Sequence, residues 1–298
     1  MVEKYSRIDF RDQISRNKMK SYILMFVVFA VLFVLIYVIG MAWGKFDIFI
    51  ILIFAIIISI SYIVVSFYNS DKIAILSVGA KEIKREGNYK QYYDLVEGLT
   101  IASGLPMPKL YVMKSNSINA FASGRDPKHS VVCVTEGALE KLDKKELEGV
   151  LAHELGHIES YDIRYMTLVA VMVGMISIIS EIFLRSLWFK GGGNNNNNNS
   201  GAIFAVLGIV LAILAPIVVY FVQLAISRKR EFSADANAVR FTRYPAGLIG
   251  ALKKIKQTNE PEKKVSKAVA PLFFANPFEG IGNTHPPIDK RIHFLEKM

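Results

Sequence analysis

Residues 153–157 read His-Glu-Leu-Gly-His. Two histidines four positions apart share one face of a helix, a turn from each other, so both imidazoles reach a single metal ion. Glu154 then projects beside the coordination position they leave open, where it can act as a base. The chain has only 5 histidines, so this spacing is a specific signal. The bland alternative is two stacked surface histidines beside an incidental glutamate. A catalytic zinc takes three protein ligands and keeps a fourth position for water. The third ligand does not follow at once: a metzincin continuation needs a glycine and then a histidine where Ser160 and Ile163 stand. Asp162 is within local reach. A better candidate is Glu231 in Arg-Lys-Arg-Glu-Phe-Ser-Ala-Asp, where Glu231 and Asp235 again lie four apart. One carboxylate can bind metal while the other holds a histidine by hydrogen bond, orienting the ring and raising its basicity. On spacing alone, two solvated charges on an exposed helix would also fit.

These residues need helices to present them. Asp143, with Glu146 three residues later, predicts a capped helix start, and Glu-Leu-Glu-Gly-Val-Leu-Ala runs from there into the motif. Residues 231–242 and 246–257 have helical patterns, and a last helix begins near Pro286. Upstream, Tyr89–Ser103 is amphipathic and ends at Gly104 and Pro106. Short runs rich in strand formers follow at Pro108–Met113, Ile118–Ala122 and Ser130–Thr135, bounded by turn residues, and predict a small sheet. Cys133 lies in the last of these. A single cysteine excludes an intramolecular disulfide, and a small buried apolar role is its ordinary use; a catalytic thiol is the alternative.

The chain is 52% hydrophobic with a mean hydropathy of +0.32, above an ordinary soluble domain. The excess is concentrated. Ser21–Gly44 and Ile48–Ser70 are uncharged apolar runs of the length that spans a bilayer, about 20 residues. A signal peptide fits the first poorly, because its apolar core is about 7–15 residues and no second span follows it. Ala202–Ile226 is a further candidate span, with Pro216 tolerated inside it. Tyr165–Ser180 is marginal before Glu181 and Arg185. Gly191–Ser200 is a low-complexity Asn tract with nothing apolar to bury, read as a disordered outer loop.

The net charge of +10 would suggest nucleic acid until its distribution is read. Lys4, Arg7, Arg11, Arg16, Lys18 and Lys20 precede the first span, and Arg228, Lys229 and Arg230 follow the last. The short connections 44–47 and 185–200 hold few basic residues. This asymmetry places both termini in the cytoplasm. No nucleic-acid module accompanies the charge, so that class is set aside. Topology also bears on the metal. Glu231 meets His157 only if the chain between them crosses the membrane an even number of times, which requires Tyr165–Ser180 to span.

Taken together, the chain resembles the HtpX family of membrane metalloproteases, relatives of the type 1 CAAX prenyl endopeptidases. The likeness runs over nearly the whole length: two N-terminal spans, Asn-Ala-Phe-Ala at 119–122, the 153–157 motif, two further spans, Glu-Phe-Ser-Ala-Asp at 231–235 and Thr-His-Pro-Pro at 284–287. The resemblance implies a membrane α-helical protein of four spans carrying a cytoplasmic α+β domain of gluzincin type. It implies one Zn2+ held by His153, His157 and Glu231, with Glu154 as general base and His285 stabilising the transition state. Asp235 and Arg291 would brace the ligands. Asn119, Ala120, Phe121 and Ala122 would pair with an extended substrate.

The expected division is a basic cytoplasmic N-terminus over 1–20, two membrane helices over 21–70 and a catalytic part over 71–164. Two more spans follow over 165–226, then a second catalytic part over 227–298. The expected activity is cleavage of misfolded membrane proteins or unfolded polypeptides on the cytoplasmic side of the cell membrane. A dedicated protease for one lipidated substrate is the alternative enzyme, disfavoured because four spans do not enclose the large chamber of the CAAX relatives. A silent zinc-stabilised adaptor would have no use for Glu154.

Overall fold

The computed structural model describes residues 10–43, 47–190, 208–209, 228–258, 272–275 and 286–298. Two long helices open the chain, α1 (Phe10–Trp43) and α2 (Ile48–Tyr68). Within them Ile14–Tyr37 and Ile48–Tyr68 are long and apolar enough to cross a membrane, and only 28% and 17% of their most apolar stretches are buried. Core helices would be covered. Here Ile53, Phe54, Ile57 and Val65 of α2 remain more than half exposed, an arrangement stable in lipid and costly in water. Asp47 caps α2, its carboxylate accepting from the Phe49 amide. The first helix begins at Phe10, not after residue 20, so Arg16, Lys18 and Lys20 lie on the helix rather than on a separate tail.

A short helix, α3 (Ser70–Ser77), leads to the part that carries the sheet. There β1 (Lys81–Glu82), α4 (Lys90–Ser103), β2 (Lys109–Met113), β3 (Ala120–Asp126), β4 (His129–Thr135), α5 (Glu136–Lys141) and α6 (Lys144–Glu159) follow in order. Gly104 ends α4 with φ 72°, the left-handed cap that its position after the amphipathic run foretold. The sheet order is β1-β2-β4-β3, with β2 and β4 parallel and the outer pairings antiparallel. Strand β4 alternates: Val132 and Val134 join the main core, while Val131 and Cys133 face a second cluster with Met113, Phe121, Met166 and Ala170. Both faces of the sheet are therefore covered, which is why this run is apolar at every position. Cys133 is fully buried in that second apolar cluster, and burial pushes its thiol well above its ordinary range, the setting of a packing side chain.

The main core lies between the sheet, α4, α6, α8 (Arg228–Thr242) and α9 (Pro245–Thr258). A final helix, α10 (Ile288–Leu295), closes it with Ile292 and Leu295. Between these parts runs α7 (Asp162–Lys190), a continuous helix of 29 residues, long enough at 1.5 Å per residue to cross a bilayer. Its Tyr165, Leu168, Val169 and Met172 pack on Leu24, Val28 and Leu32 of α1. The helix that carries residues 153–157 thus turns directly into one that packs on α1. The expected span 202–226 and the Asn tract lie outside the described residues, apart from residues 208–209.

Candidate active site

Helix α6 starts where the sequence placed it. Asp143 accepts from the amides of Lys145 and Glu146, and Glu146 returns a bond to the Asp143 amide. Ten residues into the helix His153 is fully buried, with Glu154 and His157 nearly so. Helix α8 crosses close to this turn. A Cβ on Gly156 would come within 3.1 Å of Asn237 Cβ and 3.3 Å of Ala234 Cα, so glycine here lets the two helices approach. That approach carries Glu231 and Asp235 to the histidines.

The imidazoles meet edge to face, with Nε2 of His153 and His157 3.1 Å apart. Glu231 Oε2 is 3.6 Å from the first and Oε1 3.6 Å from the second. Four-coordinate zinc with ligand bonds of about 2.0–2.1 Å sets neighbouring ligands about 3.3–3.4 Å apart, so the three groups are spaced to share one ion. They are also the group of metal-binding side chains that the described residues bring together.

The other ring nitrogens settle the donor roles. His153 Nδ1 is 2.9 Å from Asp235 Oδ1, and His157 Nδ1 is 3.2 Å from Asp162 Oδ2. With both Nδ1 protons given to carboxylates, the facing Nε2 atoms present lone pairs to each other, which a cation between them relieves. The charge balance agrees. Burial and the Arg291 charge push the His153 ring down, but the Asp235 and Glu231 carboxylates, as hydrogen-bond acceptors, override both and leave it raised. Two imidazole nitrogens and a carboxylate at these distances are the donor set of a zinc site, so the residues fit the metal that the spacing implied. Asp162, the local alternative as third ligand, lies against the outer nitrogen of His157 and not within the His153, His157 and Glu231 group.

Arg291 of α10 is 1% exposed. Its Nε and Nη2 reach Asp235 Oδ2 and Oδ1 at 2.9 and 2.6 Å, and Nη1 stands 3.8 Å from Glu231 Oε2. This two-point grip holds Asp235 ionised: although burial opposes it, the guanidinium and His153 leave the carboxyl below its ordinary range. Glu154 is different. Burial, and to a lesser extent the Glu231 charge, pushes its carboxyl up to about 7 against the pull of His157, the Ala122 amide and Arg291. Its Oε1 is buried with no hydrogen-bond partner among the described residues. A carboxyl near neutrality is suited to take a proton and give it back.

Strand β3 forms the sheet edge nearest the site, and there the chain meets itself. Residues 272–275 lie along it: Phe273 bridges Phe121, the Phe274 amide donates to Ala120 O at 2.8 Å, and the Asn119 side chain holds both the amide and the carbonyl of Ala275. The Phe274 ring stands 4.8 Å from the His153 ring. The sequence leaves 119–122 open to a substrate strand or to an ordinary paired strand, and the structure sets a segment of the chain itself against 119–121. No periodicity could announce a four-residue partner 150 positions away. His285 lies outside the described residues.

The sequence pattern of peptidase family M48 matches residues 87–298. A relative in Dictyoglomus thermophilum, named a protease HtpX homolog, is 41% identical over 97% of this chain and 95% of its own length. Relatives of the same name in Caldanaerobacter subterraneus and Tropheryma whipplei are 42% identical over 83% of the chain and 40% identical over 96%, covering 84% and 97% of their own lengths. Among solved structures, that of Ste24p from S. mikatae shares the fold, with a TM-score of 0.50 at 18% identity over 96% of this chain and 67% of that one.

Proposed function

The chain belongs to peptidase family M48 and is a membrane metalloprotease of HtpX type, and on that premise we propose that it is a zinc endopeptidase for misfolded or damaged membrane proteins, acting on the cytoplasmic side. The observation that carries the chemistry is the convergence of His153 Nε2, His157 Nε2 and the Glu231 carboxylate, with Glu154 buried beside them. A zinc ion held there would acidify a bound water and polarise the scissile carbonyl.

The chain's own groups do the rest. Glu154 accepts the proton of the attacking water and hands it to the leaving amine. Asp235 and Asp162 fix the two imidazoles by their Nδ1 atoms. Arg291 holds Asp235 in two-point geometry and lends positive charge to Glu231. His285 enters on the family resemblance alone, as the donor that steadies charge on the carbonyl oxygen.

An unfolded stretch of polypeptide offers the extended backbone that a strand edge binds without regard to sequence. To bind at Asn119–Ala122 it takes over the bonds of Ala120 and Asn119 now made to Phe274 and Ala275, so residues 272–275 must yield them. The membrane placement proposed with it takes α1, α2, the first part of α7 and residues 202–226 as four spans, with both termini inside; α1 and α2 are the two supported by length and apolarity among the described residues. Even parity between His157 and Glu231 supports it.

The test is anaerobic purification in detergent, followed by metal analysis and a casein cleavage assay with and without chelator. About one zinc per chain is expected, with cleavage lost on chelation and regained on adding zinc. Casein left intact by fully loaded protein would sink the reading.

A further inference from the structure

Asn17 lies on α1, on the stretch long and apolar enough to cross a membrane, yet it is 3% exposed and is turned onto the corner between α6 and α7. Its Nδ2 donates to Ser160 O at 2.9 Å and to Asp162 Oδ1 at 2.6 Å. The other oxygen of Asp162, Oδ2, is the one that meets His157 Nδ1. Three side chains therefore form an unbroken line from the first membrane helix to a metal-facing imidazole.

The corner itself needs holding. Tyr161 sits between the two residues that Asn17 grips, and its φ of 58° is a left-handed conformation unusual for a bulky side chain. Lys18, the next residue of α1, places its ammonium 4.3 Å from the Tyr161 ring centre. Asp162 also feels the charge of Lys20 on α1 and meets Arg230 of α8, whose Nε stands 3.7 Å from Oδ1. That contact is longer than the Asn17 bond and leaves the direction of the carboxylate to the amide.

We propose that Asn17 is a positioning residue of the metal centre: by fixing the Asp162 carboxylate it sets the orientation of His157, so docking of the first membrane helix is part of building the site. The proposal rests on His157 being a zinc ligand. It also gives α1 a task beyond anchoring. A protease domain separated from this helix loses the group that aims one of its ligands.

The test uses the full chain in detergent and reads zinc affinity by competition with a chromogenic chelator, alongside the melting temperature of the metal-free protein. Asn17→Leu is similar in size, suits a membrane helix and removes the amide that donates to Ser160 and Asp162. An orienting partner in direct contact with a ligand is worth about 10–100-fold in affinity, so a group one bond further out should cost about threefold to tenfold. In an Asp162→Ala background the same substitution should change affinity less than about twofold, because its route to His157 is gone. Ser21→Ala, a buried neighbour on α1 that bonds only its own helix, should leave affinity unaltered. If Asn17→Leu does not fold, Asn17→Ala in both backgrounds carries the comparison. Unchanged affinity in Asn17→Leu, or equal losses with and without Asp162, would overturn the proposal and leave Asn17 a packing residue. His157→Ala with undiminished zinc would overturn it differently, by removing His157 from the site.

Discussion

Arg291 grips Asp235 through two nitrogens, at 2.9 and 2.6 Å, in a pocket where both side chains are nearly free of solvent contact. The same Asp235 oxygen that takes the shorter bond also lies 2.9 Å from His153 Nδ1. One carboxylate thus joins the last helix of the chain to the first histidine of the motif.

Arg291→Lys should therefore weaken the site although it keeps the charge. An ammonium is a point donor and cannot span both carboxylate oxygens in the plane of the fork. Breaking a buried charge pair costs about 3–5 kcal/mol when one partner is removed, and the lysine variant should lose part of that. A lower melting temperature with weaker zinc retention is expected; a variant with wild-type values in both would show that the two-point contact is dispensable.

The ligand set gives a second prediction. Glu231→Ala should strip the metal, since it removes one of three ligands. Asp162→Ala should reduce affinity by about 10–100-fold without abolishing binding, as loss of an orienting partner does. Metal analysis after dialysis against a weak chelator separates the two. Complete loss in Asp162→Ala with retention in Glu231→Ala would exchange their roles.

Topology gives a third. Single cysteines placed in a Cys133→Ser background at Asp47, Ser115 and Thr258 should differ toward a membrane-impermeant thiol reagent in sealed cells. Asp47, between α1 and α2, should label from outside, and the other two only after lysis. Labelling of Thr258 from outside would remove Glu231 from the compartment of His157.

What the sequence disclosed was what is local. The capping box at Asp143, the helical spacing of 153–157 and the four-residue step from Glu231 to Asp235 depend on neighbours within a turn, and the helices that carry them stand where they were expected. Boundaries set by charge were less legible. The helix α1 begins at Phe10, well ahead of the uncharged stretch that starts at Ser21, because Arg16, Lys18 and Lys20 sit on turns that the apolar pattern does not count.

Pairings across the chain were not legible at all. Asn17 and Asp162 are 145 positions apart, and a lone asparagine among basic residues carries no sign of its partner. Asp162 was read as a possible ligand because reach along a chain is visible in sequence, whereas the direction of a carboxylate is not. Likewise α5 escaped notice: Thr135 ends a strand and caps the next helix with the same hydroxyl, which accepts from Ala138 N.

The central claim is that Glu154 is the base and no ligand, and the direct measurement is zinc content together with casein turnover of Glu154→Gln. The amide fills the same space but cannot take up a proton, so the variant should hold about one zinc per chain, as a fourth open position requires, while turnover falls by about 10²–10⁴-fold, the usual reach of proton transfer by a placed group. A variant that loses its zinc, or one that cleaves casein at the wild-type rate with zinc bound, would contradict the account.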